Sequence, residues 1–239
     1  MLLLAGCSLN KAYADHVSST EMYVDYIGTG PNDLRYRVTF ITFRICLNGN
    51  LQLFPTVGIG VKSVSASYSQ QITLTNIKLR NDANGNPVFE DTLDNLCPNF
   101  SAINSCRVSS NVNYSGYAMR IYQDTITLPS RQTDWKFSWS SCCRLLSNVN
   151  IDYGSGPQIY LEVGLNNYFR YNNSTPRYKG QPFAFLCTGQ PGSISNLPAD
   201  PNAGDSLVTY KIDPQQTATS NVVYFPGYSF ANPVGAGGK

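Results

Sequence analysis

Disulfide formation is the chemistry that the sequence supports most directly. The chain has seven cysteines in 239 residues, and six of them follow residue 14. An even number of cysteines in an exported chain is typical of a disulfide framework, and the repeated Cys-x-x-Cys spacing of zinc sites does not occur. We therefore predict a disulfide-stapled protein whose candidate bridging residues are Cys46, Cys97, Cys106, Cys142, Cys143 and Cys187.

Two of these cysteines are adjacent in the chain. Cys142 and Cys143 end a segment that alternates apolar and polar residues like a strand. Neighbouring side chains of a strand point to opposite faces, so these thiols are poorly placed to bond to each other. We expect each to have a different partner, one through the core and one across the outer face. The alternative is a core strand with two free buried thiols.

The remaining cysteines suggest a pairing, although six cysteines allow many. Cys97 and Cys106 lie in the same irregular loop, so we predict a bond between them. Cys46 and Cys187 then remain as partners of the adjacent pair. Each bridge is expected to stabilise the fold by roughly 2–4 kcal/mol.

Oxygen-bearing side chains at nearly alternate positions form two candidate calcium sites. Carboxylate and amide oxygens are suitable calcium ligands, but the distal glutamate of an EF-type loop is missing, because Glu90 comes too early. Asn, Asp and Gly also favour turns without any metal, which is the alternative interpretation. The candidate ligands are Asp82, Asn84 and Asn86 in the first loop, and Asp200, Asn202 and Asp205 in the second.

Known catalytic motifs are missing from the sequence. The single histidine, His16, directly follows a predicted cleavage site, so no catalytic triad with a core histidine can form. Neither a Gly-x-Ser-x-Gly motif nor a phosphate-binding loop occurs. The three glutamates are far apart in sequence, which gives no support to a glycosidase carboxylate pair. We therefore expect no enzyme and no cofactor other than calcium.

β-Strands must position these residues, because the composition is rich in strand and turn formers. In the segment of residues 134–144, both tryptophans fall on one face together with a phenylalanine, which predicts a half-buried core strand. Similar alternation predicts strands over residues 34–46, 57–69, 71–80, 114–128 and 158–165. The residues of the predicted core strand are Trp135, Phe137 and Trp139.

The N-terminus resembles an export signal. Residues 1–7 form the apolar core of the signal predicted over residues 1–14, and Ala12-Tyr13-Ala14 is a small-x-small cleavage site, whereas lipidation at Cys7 is the alternative. No other segment is long and apolar enough to span a membrane. The formal charge of +2 and the lack of a basic run argue against a nucleic-acid partner. We predict a β-sandwich domain over residues 15–190, and a linker with partial strands over residues 191–239.

Several pieces of the sequence run in the order found in one family of surface proteins. These pieces are residues 36–46, 97–106, 125–129, 134–144, 185–187, 200–207 and 226–228. Together they resemble the N-terminal region of the very large cell-surface proteins of Bacteroidota. That group includes gliding-motility adhesins exported by the type 9 secretion system, and the match extends into the start of a cadherin- or immunoglobulin-like module. The resemblance implies surface display and adhesion without catalytic residues.

The same resemblance implies a modification. Asp-Ser/Thr-apolar tripeptides resemble the O-glycosylation signal of this bacterial group, although such short patterns also arise by chance. Thr92 is expected to carry sugar before the others, because Thr125 lies in a predicted strand where burial would protect it. The three candidates are Thr92, Thr125 and Ser206.

We predict an all-β, disulfide-stapled antiparallel β-sandwich with a short C-terminal immunoglobulin- or cadherin-like β segment. Its expected role is that of an extracellular structural or adhesive surface protein. Strands at residues 205–212 and 221–225 could be donated to another copy, which would give a filament. The alternative is a carbohydrate-binding module in which exposed tyrosines stack on sugar rings: Tyr153, Tyr160, Tyr168, Tyr171 and Tyr178.

Overall fold

The fold is all-β, as the sequence predicts. A computed structural model describes residues 17–46, 54–93, 105–106, 116–141, 150–152, 158–180, 198–202, 205, 207–208 and 214–232, and these contain strands, turns and loops but no helix. The strands are β1 (Val17–Tyr26), β2 (Arg35–Cys46), β3 (Thr56–Ser63), β4 (Tyr68–Asn76), β5 (Arg80–Asn81), β6 (Pro87–Val88), β7 (Asp91–Leu93), β8 (Gly116–Thr127), β9 (Trp135–Ser141), β10 (Ile159–Leu165), β11 (Arg177–Tyr178), β12 (Pro198–Ala199), β13 (Gln215–Thr217) and β14 (Ser220–Asn221).

One antiparallel sheet dominates the molecule. Its strand order is β1-β2-β8-β4-β3-β9-β10, and β7 pairs with β8. Because β1 lies beside β10, the sheet nearly closes into a flattened barrel. We call the end at which β2 and β9 begin the loop end. The opposite end, where β2 finishes at Cys46, is the disulfide end.

The inner face of this sheet holds the core. Trp135, Phe137 and Trp139 are all buried on one face of β9, which confirms the predicted core strand. The ring of Phe40 from β2 packs against Trp139, with ring centroids 4.9 Å apart. Burying a large apolar side chain stabilises a fold by about 1.5–3 kcal/mol, so this aromatic cluster is a main source of stability.

Strand β1 was not predicted from the sequence. Its residues are largely polar, because only one face contacts the core, through Met22 and Val24. Its register is nevertheless regular, with Val24 opposite Val38 of β2. An edge strand of this composition gives a weak alternation signal.

The predicted disulfide pairing is wrong where the structure describes it. Cys46 and Cys106 are bonded to each other, so Cys106 is not bonded to Cys97, and Cys46 is not bonded to Cys142 or Cys143. The reason lies in the tertiary structure. Gly116 lies opposite Cys46 in the β2–β8 register, and its N–H donates a hydrogen bond to Ser105 Oγ at 2.7 Å. This bond places residues 105–106 beside the end of β2. The other bridging candidates lie outside the described residues: Cys97, Cys142, Cys143 and Cys187.

The C-terminal segment packs on its own chain. The N–H of Asp152 donates to the carbonyl of Val223 at 2.9 Å, and the N–H of Phe225 donates to the carbonyl of Asn150 at 3.1 Å. Val222, which directly precedes this pairing, is buried. The strand predicted over residues 221–225 is thus a short pairing within the chain, which is the alternative to donating it to another copy. Of the strand predicted over 205–212, the described residues 205, 207 and 208 are not in a strand.

Three aspartates stabilise turns by accepting hydrogen bonds. Asp134 accepts from the backbone N–H groups of Val64 and Ser65 at 3.0 Å each, and from Ser63 Oγ at 2.7 Å. Asp33 accepts from Arg35 Nε at 2.7 Å. Asp82 accepts from the backbone N–H of Asn84 at 2.9 Å within its own turn. These hydrogen bonds lower the pKa of each carboxyl group, chiefly through Ser65 for Asp134, Arg35 for Asp33 and Asn86 for Asp82.

We predict that Asp134→Asn lowers the melting temperature at pH 7 more than at pH 3. A folded-state pKa below the unfolded value stabilises the fold above about pH 4, and this stabilisation is lost as the pH falls through the folded-state pKa. Thermal unfolding of both proteins at the two pH values measures the difference. Asp124→Asn, on the exposed part of β8, is the control. An equal loss from Asp134→Asn at both pH values would contradict the prediction.

Candidate functional site

Two exposed aromatic side chains lie together at the loop end of the barrel. The side chains of Tyr168 and Phe169 are 52% and 79% exposed. Their rings meet edge to face, with centroids 5.2 Å apart. Both belong to residues 166–173, which follow β10 and which we call the aromatic loop. Exposed aromatic residues of this kind are enriched among the residues that dominate binding energy at protein interfaces.

A buried asparagine fixes the start of the aromatic loop. Asn167 is fully buried, and its N–H donates to the carbonyl of Gln132 at 3.0 Å. Its Oδ1 accepts from the N–H of Gln132 at 2.8 Å, and its Nδ2 donates to the hydroxyl of Tyr36 at 3.1 Å. The backbone N–H and both side-chain polar atoms of Asn167 are therefore satisfied by fixed partners in the barrel.

Further hydrogen bonds hold the tip of the loop. Arg131 donates from Nε to the carbonyl of Asn167 at 3.2 Å, and from Nη2 to the carbonyl of Tyr168. Asn166 Oδ1 accepts from the N–H of Tyr168 at 3.1 Å, and its carbonyl accepts from Asn173 Nδ2 at 2.9 Å. The two exposed rings are thus carried on an ordered backbone, which reduces the entropy lost when a ligand binds.

The segment after the loop is held by the edge of the sheet. The N–H of Val24 donates to Thr175 Oγ1 at 2.8 Å, and the N–H of Thr175 donates to the carbonyl of Val24 at 2.9 Å. Arg177 lies 5.4 Å from the ring centroid of Tyr23 and within 3.5 Å of the Asp25 carboxylate. This segment therefore covers part of the free edge of β1.

Residues 198–202, 205, 207 and 208 extend the surface around the aromatic loop. Asn202 accepts from the N–H of Ser174 at 2.7 Å and donates to the carbonyl of Asn172 at 3.0 Å. Arg170 pairs with Asp205 at 2.6 Å. The exposed apolar residues Leu207 and Val208 follow that ion pair by two and three residues, so they lie near the loop.

The calcium candidates take part in protein hydrogen bonds. In the first loop, Asp82 Oδ1 accepts from the N–H groups of Asn84 at 2.9 Å and Asn86 at 2.8 Å, and Gly85 adopts a φ of 84°. In the second, Asp200 Oδ1 accepts from the N–H of Asn202 at 2.8 Å. Within the described ranges, no group of three His, Cys, Asp or Glu side chains is placed to hold a metal. Calcium binding stays a prediction.

The tyrosines predicted to stack on sugars are dispersed. Tyr168 and Tyr178 are exposed, whereas Tyr171 packs edge to face on Tyr26 with ring centroids 5.7 Å apart. Tyr160 lies on the outer face of β10, and Tyr153 lies outside the described residues. The structure therefore does not gather them into one site. Phe169, the most exposed aromatic residue described, was missed because a single apolar residue in a polar loop carries no periodic signal.

A second surface, the polar face, covers the outside of four strands. Register places Gln71, Gly60, Ser138 and Glu162 in one row across β4, β3, β9 and β10. Glu162 accepts from Lys136 Nζ and from the hydroxyl of Tyr160, each at 2.7 Å. Partial burial and the bond to Glu162 raise the pKa of Tyr160 to about 12. The polar face is thus rich in groups that can hydrogen-bond hydroxyls.

Accessibility reverses the order expected among the glycosylation candidates. Thr125 is exposed on β8, so the expectation that strand burial protects it is wrong. Thr92 is half-buried in β7 and lies opposite Ala118 in the register with β8. Ser206 lies outside the described residues. Modification remains a prediction, and Thr125 is the more accessible of the two described threonines.

Comparison with protein-family models, curated proteins and solved structures gives no match. The described ranges contain no helix with the length and apolar character that crossing a membrane requires. The Cys46–Cys106 bridge is compatible with an oxidising, extracellular location.

Proposed function

We propose that this protein is an extracellular structural or adhesive module of a cell surface, and that the aromatic loop is its contact surface. The resemblance to Bacteroidota surface proteins, the apolar N-terminal segment and the disulfide support the location. The observation that carries the contact surface is the Tyr168–Phe169 pair, exposed but held on an ordered backbone through Asn167. Exposing such rings to water is unfavourable, and binding a partner would recover that free energy.

The test is an adhesion assay with the full, oxidised chain. Beads coated with the protein are flowed over a surface coated with the same protein, over a glycan array, over a layer of Bacteroidota cells, and over a surface coated with albumin. Retention on the first surface is expected for a self-assembling structural subunit. Retention on any glycan, or on cells of the same bacterial group, is expected for an adhesin. Retention no greater than on albumin, on every surface, would refute the proposal.

Carbohydrate binding at the polar face is the second candidate function. Gln71, Ser138 and Glu162 align in one row as hydrogen-bonding groups on the outside of the sheet, and Tyr160 lies beside them on β10. Such a surface suits the hydroxyl groups of an extended polysaccharide. Glycan binding that is lost in Gln71→Ala and kept when the aromatic loop is mutated would support this candidate over the first.

A further inference from the structure

A small cavity opens at the disulfide end of the barrel, opposite the aromatic loop. Its volume is about 90 Å³, and the residues that line it include Trp139, Tyr122, Val17 and Val57. These residues come from four strands, β9, β8, β1 and β3, so the cavity is built by the barrel itself. It belongs neither to the aromatic loop nor to the polar face.

Thr42 gives this cavity an unsatisfied polar group. It lines the cavity and is 4% exposed. Within the part of the chain that the structure describes, its Oγ1 has no hydrogen-bond partner. The hydroxyl of Tyr122, by contrast, donates to the carbonyl of Phe54 at 2.9 Å. A buried hydroxyl without a partner costs roughly 1–3 kcal/mol, so a group that hydrogen-bonds Thr42 would be stabilised there.

The shape and chemistry of the walls restrict that group. Holding one water takes at least about 10–15 Å³ of cavity volume, so this cavity has room for a group larger than a single water. Water needs two to four polar partners, whereas most of the surface that lines the cavity is apolar. A purely apolar group would fill the volume but leave Thr42 Oγ1 unpaired. The fitting group combines a methyl, for contact with Trp139, and an amide or carbonyl, for Thr42.

We propose that this cavity binds the acetamido group of an N-acetylated sugar. The methyl packs on Trp139 and Tyr122, and the amide bonds to Thr42 Oγ1. Thr56 and Ser141 also line the cavity and are more exposed than Thr42, so they lie where the hydroxyls of the sugar ring would emerge. This site goes beyond the proposed function and lies at the other end of the barrel, so the two can fail independently.

Tryptophan fluorescence tests the proposal, because Trp139 borders the cavity while Trp135 is buried near the loop end. The full chain is titrated with N-acetylglucosamine, and with glucosamine and glucose as sugars without the acetyl group. We expect a saturable change with N-acetylglucosamine alone, and loss of that change in Trp139→Phe. Thr42→Val should weaken binding about tenfold, the value of one hydrogen bond, whereas Thr42→Ser should keep it.

The valine variant also separates binding from folding. Replacing an unpaired hydroxyl by a methyl of the same shape is neutral or stabilising, so Thr42→Val should melt at or above the wild-type temperature. The proposal is overturned by no response to N-acetylglucosamine up to its solubility limit, by an equal response to glucosamine, or by unchanged affinity in a folded Thr42→Val protein. Any of these results would leave the cavity as a packing defect that binds no N-acetylated sugar.

Discussion

Replacing Cys46 and Cys106 together by serine is expected to lower the free energy of unfolding by roughly 4 kcal/mol. The bond joins residues separated by 60 positions, so it removes much chain entropy from the unfolded state. It also fixes residues 105–106 beside the end of β2. Urea unfolding of the oxidised wild type and of the double variant, both under non-reducing conditions, measures the difference.

The double variant is preferred to either single one, because a single replacement leaves a thiol that can exchange with other disulfides. Adding a reductant to both proteins is a control, since it should reduce the difference between them to near zero. A loss below about 1 kcal/mol under oxidising conditions would contradict the assigned bond, or would show that it is not formed in the native protein.

Trp135→Ala is expected to lower the free energy of unfolding by roughly 3–5 kcal/mol, the usual range for deleting a large buried aromatic side chain. Trp135 is fully buried, its ring meets Tyr68 edge to face at 5.3 Å, and its indole N–H donates to the carbonyl of Ser130 at 3.3 Å. The variant loses the apolar burial and also leaves a cavity in the core. Thermal and urea unfolding measure the loss.

Trp135→Phe is the matched variant, because it keeps an aromatic ring but loses the indole hydrogen bond. Trp135→Phe should lower the free energy of unfolding clearly less than Trp135→Ala does. Lys136→Ala, which changes the exposed neighbour on the same strand, should change stability by less than about 1 kcal/mol. If Trp135→Ala were no more destabilising than Lys136→Ala, the inner and outer faces of β9 would be assigned wrongly.

The sequence was sufficient to predict the strands that bury one whole face. Tyr36, Val38 and Phe40 on β2 and the aromatic residues of β9 have strict two-residue periods, and the structure buries them all. Strand β1 was missed because its contact with the core is confined to a few residues. The N–H groups of Val24 and Tyr26 at its edge donate to the hydroxyls of Thr175 and Ser174, and a local sequence pattern cannot anticipate such distant partners.

The candidate site was less predictable, because it depends on contacts between distant residues. Asn167 resembles an ordinary turn residue in the sequence, yet its role comes from Gln132 and Tyr36, which lie 35 and 131 positions away. Cys106 lies close in sequence to Cys97 but close in space to Cys46. Sequence spacing favoured the local pair, whereas the antiparallel pairing of β2 and β8 produced the distant one.

The central claim is that the Tyr168–Phe169 pair makes the adhesive contact. Its most direct test is bead retention by the double variant Tyr168→Ala/Phe169→Ala, on whichever surface retains the wild type. Both side chains are mostly exposed, so the variant should keep the wild-type melting temperature. It should bind at least about tenfold more weakly, as expected for residues that dominate an interface. Val223→Ala, which removes a side chain 56% exposed outside the aromatic loop and its surroundings, should bind like the wild type. Equal retention of a folded Tyr168→Ala/Phe169→Ala variant and the wild type would contradict the claim.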